Sequence, residues 1–332
     1  MGKGMTLTDR FQRRISYLRL SLTDRCDFRC TYCLPEHARF EPRDRLLSID
    51  ELDRVASTFV RLGVRKLRLT GGEPLVRKGA TDLVRSLGRH LESGTLDELT
   101  LTTNGSQLAR HAGALAEAGV RRINVSLDHL DPDRFAAITR VGRLQPVLDG
   151  IAAAQEAGIA VKINTVAMRR DNLDVIPDMV AWAHDRGMAM TIIEVMPVGA
   201  IGADRDAQHV PMPEVRAAIE RRFPLADVAL RTGGPARYAR TAGGGLVGFI
   251  TPLSANFCDG CNRVRVGADG TLHACLGRDT AIDLKPAVRE HRDDRALEAA
   301  IADLVAIKPH GHDFRIRGAS AAVTRPMAAT GG

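Results

Sequence analysis

The stretch SYLRLSLTDRCDFRCTYC, residues 16–33, joins a short run of alternating apolar and polar residues to three closely spaced cysteines. The alternation predicts a β-strand over 16–22. Cys26, Cys30 and Cys33 follow in the loop predicted at the end of that strand. Three thiols this close together are typical of a site for Zn²⁺ or for an iron–sulfur cluster.

Strand-like and helix-like segments alternate along the chain up to residue 196. Five further apolar runs predict strands: KLRLT (66–70), ELTLTT (98–103), RRINVSL (121–127), IAVKINTV (159–166) and AMTIIEVM (189–196). Amphipathic segments of helical period lie between them, for example over 48–63, 106–119 and 172–187. Ser48 and Glu51 predict a capping box at the start of the first helix. Glycines predict the C-terminal ends of several helices, namely Gly63, Gly119, Gly158 and Gly187.

Six such repeats predict a parallel sheet with helices outside it, which is either an open doubly wound sheet or a complete or partial barrel. Polar residues inside the strands favour the barrel. They alternate with apolar residues, so each set points to one side of its strand, and most lie near the C-terminal end, where β/α barrels hold their active sites. They are Arg19, Ser21, Arg68, Thr70, Asn124, Ser126, Asp128, Lys162, Asn164, Glu194 and Met196. One pattern on five strands predicts a shared polar interior.

The alternation of strands and helices ends near residue 225. The segments PARYARTAGGGLVGFITPL (235–253) and RVRVGADGTLHACL (263–276) predict short β elements joined by glycine-containing and Asp-Gly turns. The sequence therefore predicts an α/β domain over 11–225, a smaller C-terminal region over 226–319 and a tail over 320–332.

Composition and charge narrow the classes of function. The 332 residues are 44% hydrophobic, so we expect a globular protein. The net charge of +7 comes from scattered residues without a Lys/Arg block, and 4% of residues are aromatic, which argues against nucleic-acid binding. The sequence has no apolar run of membrane-spanning length and no secretory signal. We expect a cytoplasmic protein without a membrane partner.

All six cysteines fall into two groups. The first trio is Cys26, Cys30 and Cys33, and the second trio is Cys258, Cys261 and Cys275. A disulfide framework fits poorly, because disulfide-dense chains are short and secreted. Structural zinc needs a fourth ligand, for which His37 and His273 are candidates. A [4Fe–4S] cluster usually takes four cysteines, so three leave one iron open to a ligand that reacts.

The second trio lies on a predicted hairpin. Asp269-Gly270 is a turn signal, and folding the chain there brings Cys275 beside residues 261–264. Cys261, Arg263 and Arg265 alternate, so they share one face of a strand. Arginine binds phosphate oxygens with a planar fork of donors. Two guanidinium groups beside a metal centre therefore predict an anionic ligand.

Two motifs together resemble the radical S-adenosylmethionine (SAM) superfamily. The first is C-x3-C-x2-C with Tyr32 before the last cysteine, and the second is TGGEP (70–74) after the second strand. The resemblance implies that the first trio holds a [4Fe–4S] cluster whose open iron chelates SAM, and that the GGE-type segment contacts the methionine amino group. One electron from the cluster then cleaves SAM, and the 5′-deoxyadenosyl radical takes a hydrogen atom from the substrate.

Further motifs, in order along nearly the whole chain, resemble the GTP 3′,8-cyclase family of molybdenum cofactor biosynthesis. They are LRLTGGEPLVRK (67–78), LTTNG (101–105), RRINVSLD (121–128), CNRVRVGADGTLHACL (261–276) and the terminal Gly331-Gly332. The resemblance implies an incomplete (β/α)6 TIM-type barrel, the radical SAM core, with a smaller C-terminal region that holds a second [4Fe–4S] cluster. Two other hypotheses remain: a radical enzyme that modifies a peptide, which usually has more C-terminal cysteines, and a non-catalytic zinc or nucleic-acid-binding protein.

Residue roles come from this resemblance alone. It implies SAM contacts for Tyr32, Gly72, Ser126 and Met196. It implies GTP contacts for Arg19, Arg68, Thr102, Lys162, Arg263 and Arg265, and catalytic roles for Gly331, Gly332, Arg263 and Arg265. The second trio would hold the cluster whose open iron meets the guanine ring. Five of the six GTP contacts are cations, which suits a triphosphate carrying about four negative charges.

The resemblance also implies the reaction and the partners. The radical takes hydrogen from C3′ of the GTP ribose, and C3′ then bonds to guanine C8. The products are (8S)-3′,8-cyclo-7,8-dihydroguanosine 5′-triphosphate, 5′-deoxyadenosine and methionine, in the first step of molybdenum cofactor (molybdopterin) biosynthesis. The partners implied are an electron donor such as a flavodoxin or ferredoxin system and the next enzyme, cyclic pyranopterin monophosphate synthase. A homodimer is compatible with the resemblance.

Overall fold

The computed structural model describes residues 6–199, 205–315 and 321–331. Its first six strands are β1 (Tyr17–Ser21), β2 (Lys66–Thr70), β3 (Glu98–Thr103), β4 (Arg122–Ser126), β5 (Ala160–Ala167) and β6 (Ala189–Glu194). Each lies within two residues of its predicted bounds. They pair in parallel with their neighbours in chain order, from β1 to β6.

Helices connect these strands. They are α1 (Ile49–Arg61), α2 (Ala80–Glu92), α3 (Leu108–Glu117), α4 (Pro132–Thr139), α5 (Leu144–Glu156), α6 (Ile176–Asp185), α7 (Arg205–Gln208) and α8 (Met212–Glu220), with short 3-10 turns at Arg43–Arg45 and Pro74–Val76. The predicted capping box is confirmed: Ser48 Oγ accepts the Glu51 N–H at 3.1 Å, and Glu51 Oε2 accepts the Ser48 N–H at 2.7 Å. The described helices include none with the length and apolar character that crossing a membrane requires.

The C-terminal part adds strands to both sides of the six-stranded core. They are β7 (Leu225–Val228), β8 (Arg237–Thr241), β9 (Leu246–Ile250), β10 (Arg263–Val266), β11 (Thr271–His273) and β12 (Ala281–Asp283), followed by helices α9 (Lys285–Arg289), α10 (Arg295–Ala306) and α11 (Met327–Thr330). The sheet order is β12-β11-β10-β1-β2-β3-β4-β5-β6-β9-β8-β7. β10 runs parallel to β1 and β9 runs parallel to β6. β1 and β6 therefore each pair with a C-terminal strand, and the six repeats form an incomplete barrel.

Each core strand has one apolar and one polar side. Leu18 and Leu20 of β1 are fully buried in the same hydrophobic core as Leu52 and Phe59 of α1. Between the two leucines, Arg19 points to the opposite side of the strand. The apolar residues thus fix the helices outside the sheet, and the polar residues are left to line its interior.

Strand register brings the predicted GTP contacts together. Arg19 on β1 lies opposite Arg68 on β2 and Arg265 on β10. Thr102 on β3 lies opposite Asn124 on β4, which in turn lies opposite Lys162 on β5. Side chains at paired positions of neighbouring strands point to the same face of a sheet. Six strands therefore present their polar residues to one side.

Candidate active site with two cysteine trios

One cavity of about 300 Å³ lies on the polar side of the sheet, and all six cysteines line it. Every predicted SAM and GTP contact also lines it: Arg19, Tyr32, Arg68, Gly72, Thr102, Ser126, Lys162, Met196, Arg263 and Arg265. The strands supply the cations, and the loops after β1 and before β10 supply most of the thiols. The structure therefore brings the two trios and the predicted contacts to one place.

The loop that carries the first trio is held by the end of helix α4. The Arg29 N–H donates to Thr139 O and the Thr31 N–H donates to Ile138 O, both at 3.0 Å. Arg140 has a positive φ of 63°, and its Nη1 donates to Leu34 O at 3.0 Å and to Arg29 O at 2.9 Å. A positive φ is costly for a residue with a Cβ. The loop has no regular secondary structure, so α4 and Arg140 fix its shape.

Replacing Arg140 by alanine should loosen this loop. Two charge-assisted hydrogen bonds to loop carbonyls are lost, and each such bond contributes about 1.5–3 kcal/mol. We expect a lower melting temperature and fewer irons retained per chain after reconstitution. Arg134→Ala is the matched control, because Arg134 is an exposed arginine of the same helix. Equal iron retention in both variants, measured by iron analysis after gel filtration, would contradict the role of Arg140.

The TGGEP turn packs directly against the loop of the first trio. A Cβ on Gly72 would lie 2.4 Å from Arg25 O, which leaves no room for any other residue. Glu73 is fully buried and accepts hydrogen bonds from the Asn104 N–H at 2.6 Å and from Thr103 Oγ1 at 2.8 Å. Burial raises the pKa of Glu73 to about 7. Glu73 thus fastens the turn to the end of β3, and Gly72 allows the cysteine loop to lie close to it.

Tyr32 connects the first trio to the end of β4. Its hydroxyl donates to Asp128 Oδ2 at 2.7 Å, and Asp128 Oδ1 accepts the Val166 N–H at 2.8 Å. Burial raises the pKa of Asp128 to about 6 and that of Tyr32 well above its usual value. The Tyr32 ring is therefore held at a fixed position beside Cys33.

Long-range contacts hold the second trio. The hairpin predicted at Asp269-Gly270 is confirmed, with Arg265 opposite His273, so Cys275 returns to the level of Arg263. Arg13 donates to Cys258 O and to His310 O, both at 2.6 Å, and pairs with Asp9. Lys308 is buried, and its Nζ donates to Ala274 O.

The donor set of each trio suits an iron–sulfur cluster. All six cysteines are free thiols, and thiolate sulfur is the usual ligand of such clusters. Among the described residues, no three His, Cys, Asp or Glu side chains converge closely enough to hold a single metal ion. A cluster offers a separate iron to each ligand, so its cysteines need not meet at one point. His37 is exposed and His273 does not line the cavity, whereas all six cysteines do.

The two trios differ in their electrostatic surroundings. Burial raises the pKa of all three thiols in the first trio, to about 12 for Cys33. Burial also raises the pKa of Cys261, but the charges of Arg263 and Lys308 outweigh it, and the pKa is about 7. Arg263 Nη2 lies 3.9 Å from Cys261 Sγ. Thiolate ligands need deprotonation on metal binding. Nearby cations favour it at Cys261, whereas burial raises the pKa of Cys258.

A belt of cations lines the cavity between the trios. Arg68, Lys162, Arg263 and Arg265 form no ion pair with a carboxylate in the described part of the chain. Burial, followed by Arg68 and Arg122, lowers the pKa of Lys162 to about 7. Burial, followed by Arg19 and Arg263, lowers the pKa of Arg265 well below its usual range. Buried cations without counter-charges indicate a site for an anionic ligand.

The C-terminal tail folds back into this site. The Arg265 guanidinium donates to Gly331 O, and Gly331 is buried. The Ala328 backbone lies near Cys33 of the first trio, and Arg325 donates to Cys275 O of the second at 3.2 Å. Gly332, the other predicted catalytic glycine, lies outside the described residues.

Comparison with known families and proteins gives a consistent result. Residues 20–183 match the Radical SAM superfamily, and residues 188–314 match Molybdenum Cofactor Synthesis C. A protein of Rhodopseudomonas palustris named GTP 3′,8-cyclase is 56% identical over 329 residues, which cover 98% of this chain and 96% of the relative. A protein of the same name from Mesorhizobium japonicum is 55% identical over 331 residues, covering 99% of this chain and all of the relative.

The chain belongs to the GTP 3′,8-cyclase family. Membership in this family of radical SAM enzymes confirms the family and enzyme class predicted from the motifs. The predicted α/β fold, a radical SAM core followed by a C-terminal region, is also confirmed. A solved structure, Streptococcus suis SuiB bound to S-adenosylmethionine, has the same fold with a TM-score of 0.62 at 14% identity, over 98% of this chain and 78% of SuiB.

Several residues of the cyclase cavity were not predicted from the sequence. Tyr17 and Lys66 line it, and both alternate with predicted contacts, Arg19 and Arg68, so strand period could have found them. Burial raises the pKa of Tyr17, but Arg68, Arg19 and Lys66 lower it more, and the pKa is about 8. Lys308 follows α10 in a segment without periodic pattern, and no sequence signal pointed to it.

Proposed function

We propose that the protein cyclises GTP to (8S)-3′,8-cyclo-7,8-dihydroguanosine 5′-triphosphate, with SAM cleaved to 5′-deoxyadenosine and methionine, in the first step of molybdenum cofactor biosynthesis. The observation that carries the proposal is the single cavity in which both cysteine trios and the belt of cations meet. Relatives named for this reaction, similar over nearly their full length, support it.

The first trio is the site of SAM cleavage. The radical SAM family implies a [4Fe–4S] cluster and SAM. Cys26, Cys30 and Cys33 would hold the cluster, which would supply one electron for cleaving the sulfonium. Tyr32, Gly72, Ser126 and Met196 line the adjoining wall of the cavity and orient SAM. The buried turn and loop around the thiols keep water away from the radical that SAM releases.

The cation belt binds the triphosphate. Arg19, Arg68 and Arg265 lie side by side on three neighbouring strands, and Lys162 faces them from β5. Guanidinium groups and ammonium groups make charge-assisted hydrogen bonds to phosphate oxygens. Thr102 Oγ1 accepts from Arg68 Nη1 at 3.1 Å and holds that side chain in place. A triphosphate supplies the counter-charge that Arg68, Arg265 and Lys162 lack among the described residues.

The second trio would hold a second [4Fe–4S] cluster, which would supply an open iron for the guanine ring. Cys258, Cys261 and Cys275 all line the cavity and are the thiols available to hold it. Arg263 lies beside Cys261 and, with Arg265 and Gly331, would surround the ribose and phosphates. GTP held at both ends then has its C3′ near the SAM side of the cavity and its C8 near C3′, with which it forms the new bond.

One experiment tests the whole proposal. Anaerobically reconstituted, reduced protein receives SAM and GTP deuterated at C3′, and the mass of the 5′-deoxyadenosine is measured. A gain of one deuterium is the expected result, since it reports the radical, the substrate and the abstracted atom together. Unlabelled 5′-deoxyadenosine, formed no faster with GTP than without it, would refute GTP as the substrate. Zinc in the protein and no 5′-deoxyadenosine would refute radical chemistry.

Binding of GTP should weaken as the pH rises above 7. Lys162 has a pKa of about 7 in the empty cavity, and phosphate raises it, so GTP binding above pH 7 takes up a proton. The affinity should fall by up to about tenfold per pH unit from this group. Below pH 7 Lys162 is already charged, and this dependence ends. Tyr17, whose pKa is about 8, should also take up a proton when GTP binds, but only near and above pH 8.

Calorimetry between pH 6.5 and 8, in buffers with different ionisation enthalpies, measures this proton uptake directly. Lys162→Met should remove most of the uptake at pH 7.5 and weaken binding at pH 6.5. Wild-type protein that binds GTP at pH 7.5 without taking up a proton would contradict the assignment of Lys162.

Replacing Arg265 by methionine should separate GTP binding from cluster assembly. Loss of one charge-assisted hydrogen bond, worth about 1.5–3 kcal/mol, predicts GTP affinity roughly 10- to 150-fold lower. In the empty protein, relief of the repulsion from Arg19 and Arg263 opposes the loss of the hydrogen bond from Arg265 to Gly331 O, so the change in stability should be small. Iron content should stay at the wild-type value, and Arg240→Met, on exposed β8, is the control. Loss of iron from the Arg265 variant would show that its role is misassigned.

The partners and the location follow from the same proposal. A flavodoxin or ferredoxin system supplies the electron, and cyclic pyranopterin monophosphate synthase takes the product. We place the reaction in the cytoplasm, with a homodimer compatible with it.

We also propose that residues 11–225 form the SAM-cleaving unit, that residues 226–319 contribute the second cluster, and that residues 320–332 form the tail beside the site.

A further inference from the structure

The outer side of the first cysteine loop carries cations without acidic partners. Arg29 Nη1 donates to Cys26 O at 2.5 Å and to Phe28 O at 2.9 Å, and the Arg140 guanidinium also donates to loop carbonyls. Within the described ranges neither side chain forms an ion pair with a carboxylate. Main-chain carbonyls do not cancel a full charge, so this face of the loop is electropositive.

An exposed apolar side chain lies among these cations. Val141 is 62% exposed, and its N–H donates to Thr139 O, the same carbonyl that accepts the Arg29 N–H. Arg143, two residues further on, is exposed, and its side chain does not cap α5. Val141 is therefore an exposed apolar side chain near Arg29, Arg140 and Arg143, and its backbone lies against the first cysteine loop.

The reaction needs electrons from outside the protein. Each turnover consumes two, one to cleave SAM and one, taken up with a proton, to reduce the radical that remains once C3′ has bonded to C8. The first electron enters at this loop, whose inner side faces the cavity that SAM and GTP occupy. A carrier protein that delivers this electron has to approach from the outer side. Positive potential steers an acidic partner to the surface, and an apolar centre with a charged rim is the usual composition of a transient interface.

We propose that the face formed by Arg29, Arg140, Val141 and Arg143, the arginine face, docks an acidic one-electron carrier protein. This inference rests on the proposed radical SAM reaction and adds to it the place where the electron enters. Docking here puts the carrier against Arg29, which is one residue from Cys30 and three residues from Cys26 along the chain. The positions that bind the carrier, Val141 and Arg143, are separate from those that shape the loop, Arg29 and Arg140.

The test compares two electron sources in the same enzyme. The double variant Val141→Asp/Arg143→Glu is reduced either by a flavodoxin hydroquinone or by dithionite, and 5′-deoxyadenosine formation is timed. We expect at least about a tenfold lower rate with flavodoxin and an unchanged rate with dithionite, whose small size needs no docking face. Arg237→Glu, which repeats the charge change of Arg143→Glu at an exposed position of β8, should leave both rates unchanged.

Binding of the carrier gives a second readout that does not depend on turnover. Anaerobic calorimetry of the reconstituted enzyme with oxidised flavodoxin should show a Kd that rises with salt and rises at least about tenfold in the double variant. Wild-type rates or affinity in the double variant would overturn the proposal. An equal loss of rate with both reductants would also overturn it, because the change would then act on the cluster and not on docking. Failure of wild-type protein to cleave SAM with dithionite would refute the radical reaction itself, and with it the docking face.

Discussion

Alanine at Cys258, Cys261 and Cys275 together should abolish GTP cyclisation and lower the iron content from about eight to about four atoms per chain. These thiols lie in the loop before β10 and just after β11, whereas the loop of the first trio is held by α4 and the TGGEP turn. The loops of the two trios have separate local contacts, although both trios line one cavity and lie near the tail. The variant should therefore keep the first cluster and still cleave SAM slowly with dithionite.

The reason for a complete loss is geometric. The open iron of the second cluster anchors the guanine ring in the proposal, and the cation belt alone holds only the triphosphate. Without the anchor, C3′ is no longer held near the SAM side, and a displacement of about 1 Å can cost a hundredfold in rate. Loss of the anchor displaces the ring by far more than that.

A matched variant makes the result specific. Alanine at Cys26, Cys30 and Cys33 should also leave about four irons, but it should form no 5′-deoxyadenosine with any reductant. Iron and sulfide analysis with electron paramagnetic resonance distinguishes the two variants. Four irons in the unaltered protein, with no change in the second-trio variant, would contradict a second cluster. One zinc lost from that variant would instead favour the structural zinc site.

The alternating strand pattern was enough to predict the first six strands. A strand such as β2 needs leucines on the helix side and polar residues on the cavity side, and the segment KLRLT shows that alternation. The capping box at Ser48 was equally predictable from its local sequence. The sequence did not show where the C-terminal strands join the sheet, because the pairings of β10 with β1 and of β9 with β6 are long-range contacts.

The site was predictable to the extent that its residues share a motif or a strand period. Cysteine spacing and the alternation of Arg263 with Arg265 indicated a metal site and an anion. Lys308 and Arg13 were not predictable, since each acts through a bond to the backbone of a distant segment: Lys308 to Ala274 O, and Arg13 to Cys258 O. Such hydrogen bonds form only in the folded protein, and no local sequence pattern predicts them.

Replacing Gly331 by alanine should reduce GTP cyclisation about a hundredfold or more. The backbone at Gly331 has a φ of +74°, and a Cβ there would lie 1.9 Å from Thr70 Oγ1. Thr70 ends β2 in the buried interior, and α11 is a single turn, so the tail has to move and not the sheet. The Gly331 carbonyl then leaves Arg265, and the site stays open on that side. SAM cleavage should continue without cyclisation, which lowers the yield of cyclised product per 5′-deoxyadenosine.

The control for this variant is Gly94→Ala. Gly94 has a similar φ of +66°, but nothing lies within 4 Å of the Cβ position. It therefore carries the same backbone cost, about 1–2 kcal/mol for a left-handed residue, without the collision. Cyclisation by Gly94→Ala should match wild type, and its melting temperature should fall at least as much as that of Gly331→Ala.

If both variants instead keep the wild-type ratio of cyclised product to 5′-deoxyadenosine, the contact between Gly331 and Arg265 has no part in catalysis. If Gly331→Ala alone loses that ratio while its iron content and melting temperature stay near wild type, the tail acts on the bound GTP and not on the stability of the fold.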